Sequence, residues 1–288
     1  MADWGETRQV MTPEELHLLR DLFQQACGFV LRDDLKFVAE RRLAPRLEAI
    51  GLRDFAAYHR YLRFDPRGRD ELETAIDLLV PHETYFFREP AQLESFSKEI
   101  LPDLEARNAA TRSLRLWSAG CSTGEEAYTL SMLIAESGRF TGWDVDVLGS
   151  DQSRKALTAA RKAEYGTSAL RSVTAKQRAT FFEPVEGQGP TGRVRVKAQY
   201  RSQVRFGQLN LLDPHGSALL PRMDAIFCRN VLIYFDVETR RRLVDVFFGK
   251  LREGGYLLLG HSENLLSLGT RFELVQLEGD LVYRRPRQ

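Results

Sequence analysis

The sequence predicts an α/β protein: a mostly parallel sheet domain with a small inserted antiparallel β-subdomain, preceded by an all-helical domain. Three observations carry this. Residues 12 to about 80 place apolar residues at helical spacing throughout. From about residue 112, short apolar strands alternate with helical stretches, as in a parallel sheet. Near 185–202 that alternation is interrupted: Gly187, Gly189, Pro190 and Gly192 make a turn, and Val194 and Val196 alternate with Arg193, Arg195 and Lys197.

Taken in order, Thr12-Pro13 with Glu15 reads as a helix start, and Leu16, Leu19, Leu22 and Phe23 follow as its apolar stripe. A second helix is expected over Asp34–Ile50, bent at Pro45 and capped by Gly51. Two more cover about Phe55–Leu62 and Asp70–Leu79, the last stopped by Pro81. Strands are expected at Leu114–Trp117, Val145–Gly149, Val204–Gln208, Asp224–Cys228 and Tyr256–Leu259. Helices at Glu125–Glu136, Arg154–Lys162 and Val237–Leu251 lie between strands. The expected domains are residues 1–90 (helical), 91–112 (linker) and 113–288 (sheet domain), with the insertion at about 185–202.

Composition narrows the function classes. The 288 residues carry 41 Lys+Arg against 40 Asp+Glu, so no overall field draws the chain to nucleic acid or an anionic membrane. Hydrophobic residues at 43% supply a core. Cys27, Cys121 and Cys228 are far apart, and the five histidines show no ligand spacing, so no disulfide framework or metal site is expected. With no long apolar run, the expectation is a cytoplasmic protein, monomeric, without membrane insertion or nucleic-acid partner.

The chemistry concentrates at Ser118-Ala119-Gly120-Cys121-Ser122-Thr123-Gly124-Glu125-Glu126. A glycine turn between strand and helix ordinarily binds a dinucleotide, whose pyrophosphate sits on the helix N-terminus. Here Glu125 and Glu126 open the helix and would repel a phosphate. They suit a cationic cofactor without phosphate, and S-adenosylmethionine (SAM) is one. Asp151, ending the next strand, suits ribose hydroxyls. Singly, the glutamates are equally read as partners of the helix dipole, and Asp151 as a cap. Asn210 and Asn230 follow two further strand ends, where they can meet adenine and the amino or carboxylate group; Asn210 alone also reads as a turn residue.

Four segments now form a set: His82–Glu89 (HETYFFRE), Trp117–Glu126, Phe227–Phe235 (FCRNVLIYF) and Gly260–Asn264 (GHSEN). In this order they resemble the CheR family of chemotaxis receptor methyltransferases, SAM-dependent protein-glutamate O-methyltransferases. The resemblance spans about Leu16 to Tyr283. It implies a class I (Rossmann-like) SAM-methyltransferase domain with an inserted β-subdomain behind a helical recognition domain. By matching position it implies that Thr84, Arg88, Glu126, Asp151, Asn210, Leu211, Asn230 and Val231 contact SAM. His82 stands where the family often has Asn; neutral His can both donate and accept as Asn does, so His82 is a further, lesser cofactor candidate, and Ala127 stands where proline is common. Ser118 and Ser122 replace the acid and middle glycine of the wider class I signature, in agreement with the narrower family.

A glutamate carboxylate, with an ordinary pKa of about 4.3, is already ionised at neutral pH, so its methylation needs no general base. Arg88, a planar fork, is the candidate for orienting that carboxylate, with Tyr234 beside it as a second catalytic candidate. Phe86 and Phe87 are expected at the domain interface, and His261 is read as structural. Residues 32–69 hold ten Arg/Lys against six Asp/Glu. Arg42, Arg46 and Arg53 share one angular position if their helix runs that far. A charge run is by itself ordinary solvated surface. The resemblance makes it a face for the cytoplasmic helices of chemoreceptors, with the Arg193–Lys197 hairpin as a further contact. In some relatives the β-subdomain docks a tethering peptide from the receptor tail. Two rival functions remain at this point: a non-catalytic adaptor binding SAM or S-adenosylhomocysteine (SAH), and a methyltransferase for a nitrogen nucleophile or nucleic acid.

Overall fold

The computed structural model describes residues 10–185 and 192–287. The chain divides into two compact units. The first runs to Pro81 and takes in Tyr234–Asp236; the second comprises His82–Ile233 and Val237 onward.

Among the described residues, the first unit contains α1 (Pro13–Cys27), α2 (Lys36–Ile50), α3 (Phe55–Phe64) and α4 (Gly68–Leu79). The start of α1 is the expected capping box: Glu15 N–H donates to Thr12 Oγ1 (3.2 Å) and Thr12 N–H to Glu15 Oε2 (2.8 Å). Pro45 lies inside α2, which ends where expected, at Gly51 with φ +79°. Leu19, Phe23, Leu43, Leu47, Tyr58 and Ala75 are fully buried between the helices. One polar knot sits within this core. Glu71, 7% exposed, accepts from Arg46 Nε (2.9 Å) and from the Tyr58 hydroxyl (2.7 Å).

The second unit opens with α5 (Pro90–Ser95), a π-helical turn at Phe96–Ile100 and α6 (Leu101–Asn108). The stretch expected as a linker is thus helical and core-bound: Phe96, Ile100, Leu101 and Leu104 are fully buried in the cluster that packs the sheet. There follow β1 (Ser113–Ala119), α7 (Glu125–Ser137), β2 (Asp144–Asp151), α8 (Arg154–Lys162), β3 (Glu164–Tyr165), α9 (Ala175–Phe181), β4 (Phe182–Pro184), β5 (Val194–Val196), α10 (Ala198–Arg201), β6 (Val204–Gln208), α11 (Pro214–Ala218), β7 (Met223–Cys228), α12 (Val237–Lys250), β8 (Leu251–Leu259), β9 (Glu273–Gln276) and β10 (Leu281–Arg284).

Among the described residues the main sheet has the order β6-β2-β1-β7-β8-β10-β9. Its first five strands are parallel; β10 runs antiparallel to both β8 and β9. β7 is buried along its whole length, and its one charged residue, Asp224, accepts from Arg115 N–H (2.8 Å) and pairs with Arg252 (3.1 Å). Trp117 anchors β1: it is fully buried, its indole N–H donates to Ser150 Oγ (2.8 Å), and its ring meets Phe247 edge-on. The inserted subdomain is a separate antiparallel sheet, β3-β5-β4, so it begins earlier than residue 185. The expected turn at Gly187, Gly189 and Pro190 lies outside the described residues.

Removing the Glu71 carboxylate strands a buried Tyr58 hydroxyl and unpairs Arg46. We expect Glu71→Ala to lower unfolding free energy by about 2–3 kcal/mol and Tyr58→Phe by about 1 kcal/mol, read from urea midpoints.

Candidate active site

The strand order reverses direction between β1 and β7: from β1 the chain builds outward to β2 and β6, then returns to add β7 and β8 on the other side. Ligands of such sheets bind outside the carboxyl ends at this switch point. The expected residues lie there. The Gly120 turn follows β1, Asp151 ends β2, Asn210 and Leu211 follow β6, and Asn230 and Val231 follow β7.

The turn depends on its glycines. Gly120 and Cys121 N–H both donate to the Ser150 carbonyl (2.8 and 2.9 Å), folding the chain sharply off β1. Gly120 has φ +81°, and a Cβ there would lie 2.5 Å from Val231 Cγ2. Gly124 has φ +93°, and its Cβ would lie 2.9 Å from both Ala160 and Phe206. Left-handed backbone and close packing together require glycine at both positions.

The acids take distinct roles. Glu125, 3% exposed, accepts from Thr123 Oγ1 (2.6 Å) at the start of α7. Glu126 accepts from Ser118 Oγ (2.7 Å) and Arg229 Nη1 (3.3 Å). Burial pushes both carboxyls above their ordinary pKa; for Glu126 the Arg229 charge opposes the rise. Asp151 accepts from Ser122 N–H (2.8 Å) through Oδ2 and from Ser153 N–H (2.9 Å) through Oδ1, so it joins two strand-end loops; the cap of α8 is Ser153, whose Oγ accepts from Ala156 N–H (3.0 Å).

Arg229 carries a role that sequence reasoning missed. Its side chain is 3% exposed and bridges Glu126 to Glu89 (3.0 Å), while Nη2 donates to the Arg88 carbonyl (2.7 Å). Its one sequence signal was a charged residue inside the apolar segment Phe227–Phe235. Phe87 and Glu89 on either side of Arg88 hold φ +57° and +58°. Arg88 Nη1 donates to the Glu83 carbonyl (3.0 Å). His82 and Thr84 are half-buried in the same segment, and the His82 carbonyl accepts from Ser122 Oγ (3.4 Å). Phe86 and Phe87, expected at the domain interface, pack instead on the β-subdomain side: Phe86 meets Tyr165 and Phe182 edge-on, and Phe87 lies near Phe181.

Asn210 Oδ1 accepts from Leu212 N–H (3.0 Å), which is the turn role. Leu211 beside it is half-buried. Asn230 stands at φ +59°, and its side-chain Oδ1 is buried without a hydrogen-bond partner. These residues fit SAM. Glu126 and Asp151 lie at the turn, the one basic group described against them, Arg229, is itself paired with Glu126 and Glu89, and the Asn230 side-chain oxygen is a buried acceptor without a partner.

Other expected residues lie elsewhere. Tyr234 belongs to the first unit: Val30 N–H donates to its carbonyl (3.0 Å), and its ring centroid is 6.3 Å from that of Phe29. The shared face of Arg42, Arg46 and Arg53 is corrected, because α2 stops at Gly51 before Arg53. Arg46 is committed to Glu71, and Arg42 donates to the Leu78 carbonyl (2.8 Å). In the β-subdomain Arg195 pairs with Glu164, Arg193 donates to the Glu164 carbonyl (2.7 Å), and Lys197 to those of Ala179 and Thr180. Among the described residues no helix is long and apolar enough to cross a membrane.

Fold and site together define a class I SAM-dependent methyltransferase. Residues 82–280 match the SAM-binding domain of CheR methyltransferases, and residues 14–80 match their all-alpha domain. The chain belongs to the CheR methyltransferase family, and SAM is its cofactor. It is 35% identical to chemotaxis protein methyltransferase 1 of Pseudomonas aeruginosa, covering 94% of this chain and 97% of that protein. It is 32% identical to chemotaxis protein methyltransferase 2 of Vibrio cholerae, covering 96% and 94%.

Two outcomes follow. Asp151→Ala should weaken SAH binding at least about tenfold by calorimetry, the worth of roughly one charge-assisted hydrogen bond; parent affinity would remove Asp151 from the cofactor set. Glu125 binds its proton more tightly folded than unfolded. Its stabilising share is therefore complete below the ordinary carboxyl value of about 4.3 and is lost as pH rises through the raised folded value. Glu125→Gln should flatten that fall in urea midpoints above about pH 4.

Proposed function

We propose that this chain methylates glutamate side chains of chemoreceptors, yielding glutamyl methyl esters that adjust receptor signalling. The observation that carries the reading is the match to both CheR domains, with a buried acid-lined cofactor turn and Arg88 held beside it. The cofactor supplies a sulfonium-activated methyl group, which a carboxylate oxygen accepts in line as the carbon–sulfur bond breaks and SAH leaves.

The protein's own part is binding and alignment. Glu126 and Asp151 hold the cationic and ribose portions, and Asn210, Leu211, Asn230, Val231, His82 and Thr84 complete the cofactor contacts. Arg88 orients the substrate carboxylate. A guanidinium has five N–H donors, so a bond to the Glu83 carbonyl is compatible with holding a carboxylate. No proton is removed, because the nucleophile arrives ionised. Charges of opposite sign are neutralised in the step, so water exclusion favours it. Tyr234 is the second candidate for the carboxylate, through its hydroxyl. Arg42, Arg46, Arg53 and the Arg193–Lys197 segment are proposed to meet acidic receptor helices.

The decisive assay supplies methyl-labelled SAM and receptor-containing membranes, then mild alkali. Volatile methanol marks a glutamyl ester. Alkali-stable label marks an N-methyl product, and no transfer with SAH bound marks an adaptor; either overturns the reading. Arg88→Ala should lower kcat/KM at least about 100-fold, as misalignment of reactants does. Tyr234→Phe should lower it about tenfold if its hydroxyl holds the carboxylate, and leave it unchanged if the ring only packs.

A further inference from the structure

The segment Gly260–Asn264 stood out in the sequence, and nothing in the reaction above uses it. It follows β8, and its Glu263 reaches back to the loop after β7. Glu263 Oε2 accepts N–H bonds from Asn230 (2.7 Å) and Gly260 (2.8 Å), and Oε1 accepts from Ile233 (3.2 Å). One carboxylate therefore gathers backbone donors from the loops after two adjacent strands, β7 and β8. Burial raises its pKa even against these bonds.

The fastened residue is the unusual one. Asn230 holds φ +59°, a region L-residues seldom occupy. Its neighbour Gly260 admits no side chain: a Cβ there would lie 2.8 Å from Asn230 N, 2.9 Å from Asn230 Nδ2 and 2.9 Å from Glu263 Oε2. The side-chain amide of Asn230 is thus packed on bare backbone, and its Oδ1 is left buried and unpartnered. A buried acceptor without a partner is rare and costly in a folded protein. Here a ligand N–H would satisfy it.

We propose that Glu263 is a positioning residue for the cofactor: it locks Asn230 in the left-handed conformation, so that Oδ1 accepts an N–H from an amino group of SAM. The inference rests on the reading of Asn230 as a cofactor residue. Glu263 does not itself touch the ligand. Its effect on binding passes through Asn230, and that separates it from a carboxylate that merely stabilises the fold.

The test is a double-variant cycle on the full chain, with SAH titrated by calorimetry. Glu263→Ala and Asn230→Ala should each weaken SAH at least about tenfold, and the double variant should bind no more than about twofold weaker than the weaker single variant, since both remove one contact. Glu263→Gln keeps an acceptor oxygen for Asn230 and Gly260 and should stay within about threefold of the parent. If Glu263→Ala does not fold, Glu263→Asp, which withdraws the carboxylate by one methylene, takes its place in the cycle. Parent affinity in a folded Glu263 variant overturns the proposal. So does a double variant whose loss equals the product of the single losses, or parent affinity in Asn230→Ala. No methyl acceptor is present, so the outcome is separate from that of the substrate assay.

Discussion

A buried guanidinium organises the site. Arg229 leaves β7 with its side chain 3% exposed and is compensated by Glu126 at the start of α7 and Glu89 ahead of α5. Burying a charge is expensive unless it is paired and hydrogen-bonded, and removing one partner leaves the other stranded. The pairing therefore ties three distant segments into one arrangement. Arg229 opposes, by its charge, the rise in pKa that burial gives the Glu126 carboxyl. It also grips the Arg88 carbonyl, which fixes the backbone from which the proposed substrate-orienting side chain projects.

Around this clamp the polar groups divide their work. Asp151 binds two backbone N–H groups and thereby joins the turn after β1 to the start of α8. The glycines admit the loop after β7 into contact with that turn, since Val231 lies where a Gly120 side chain would be. Glu263 closes the far side of the same loop. The proposed cofactor site is thus made of loops, and hydrogen bonds join the loops after β1, β2, β7 and β8 to their neighbours. The basic residues proposed for the receptor are tethered too: Arg46 and Arg195 already hold carboxylates, so an acidic partner would compete with those ion pairs or use the remaining donors.

Much of this was legible in the sequence because it is local. The capping box at Thr12, the Gly51 helix stop, α8 and β6 each follow from residues within a few positions of one another. Parallel strands were legible as short, mostly apolar runs, such as Ala225–Cys228 and Tyr256–Leu259. The glycine spacing and the acids after it pointed to a cofactor without phosphate. What escaped was long-range or weakly patterned. Arg229 with Glu126 spans 103 positions, and Glu263 with Asn230 spans 33; no local signal pairs them. The strands β9 and β10 are four residues each, with mixed exposure, and show no clean alternation. The helical stretch expected at the domain boundary, which ends in the polar segment Arg107–Arg112, packs into the second unit, because Phe96, Ile100 and Leu104 are buried in its core. Arg53 was placed on a face that Gly51 ends two residues earlier.

The most direct test of the account is a crystal structure of the chain with SAH bound. The ligand is expected over the Gly120–Gly124 turn, with a ribose hydroxyl on Asp151 and its amino nitrogen on Asn230 Oδ1, each within about 3.2 Å. A ligand seated elsewhere, or one that leaves Asp151 and Asn230 Oδ1 beyond hydrogen-bond reach, would contradict it.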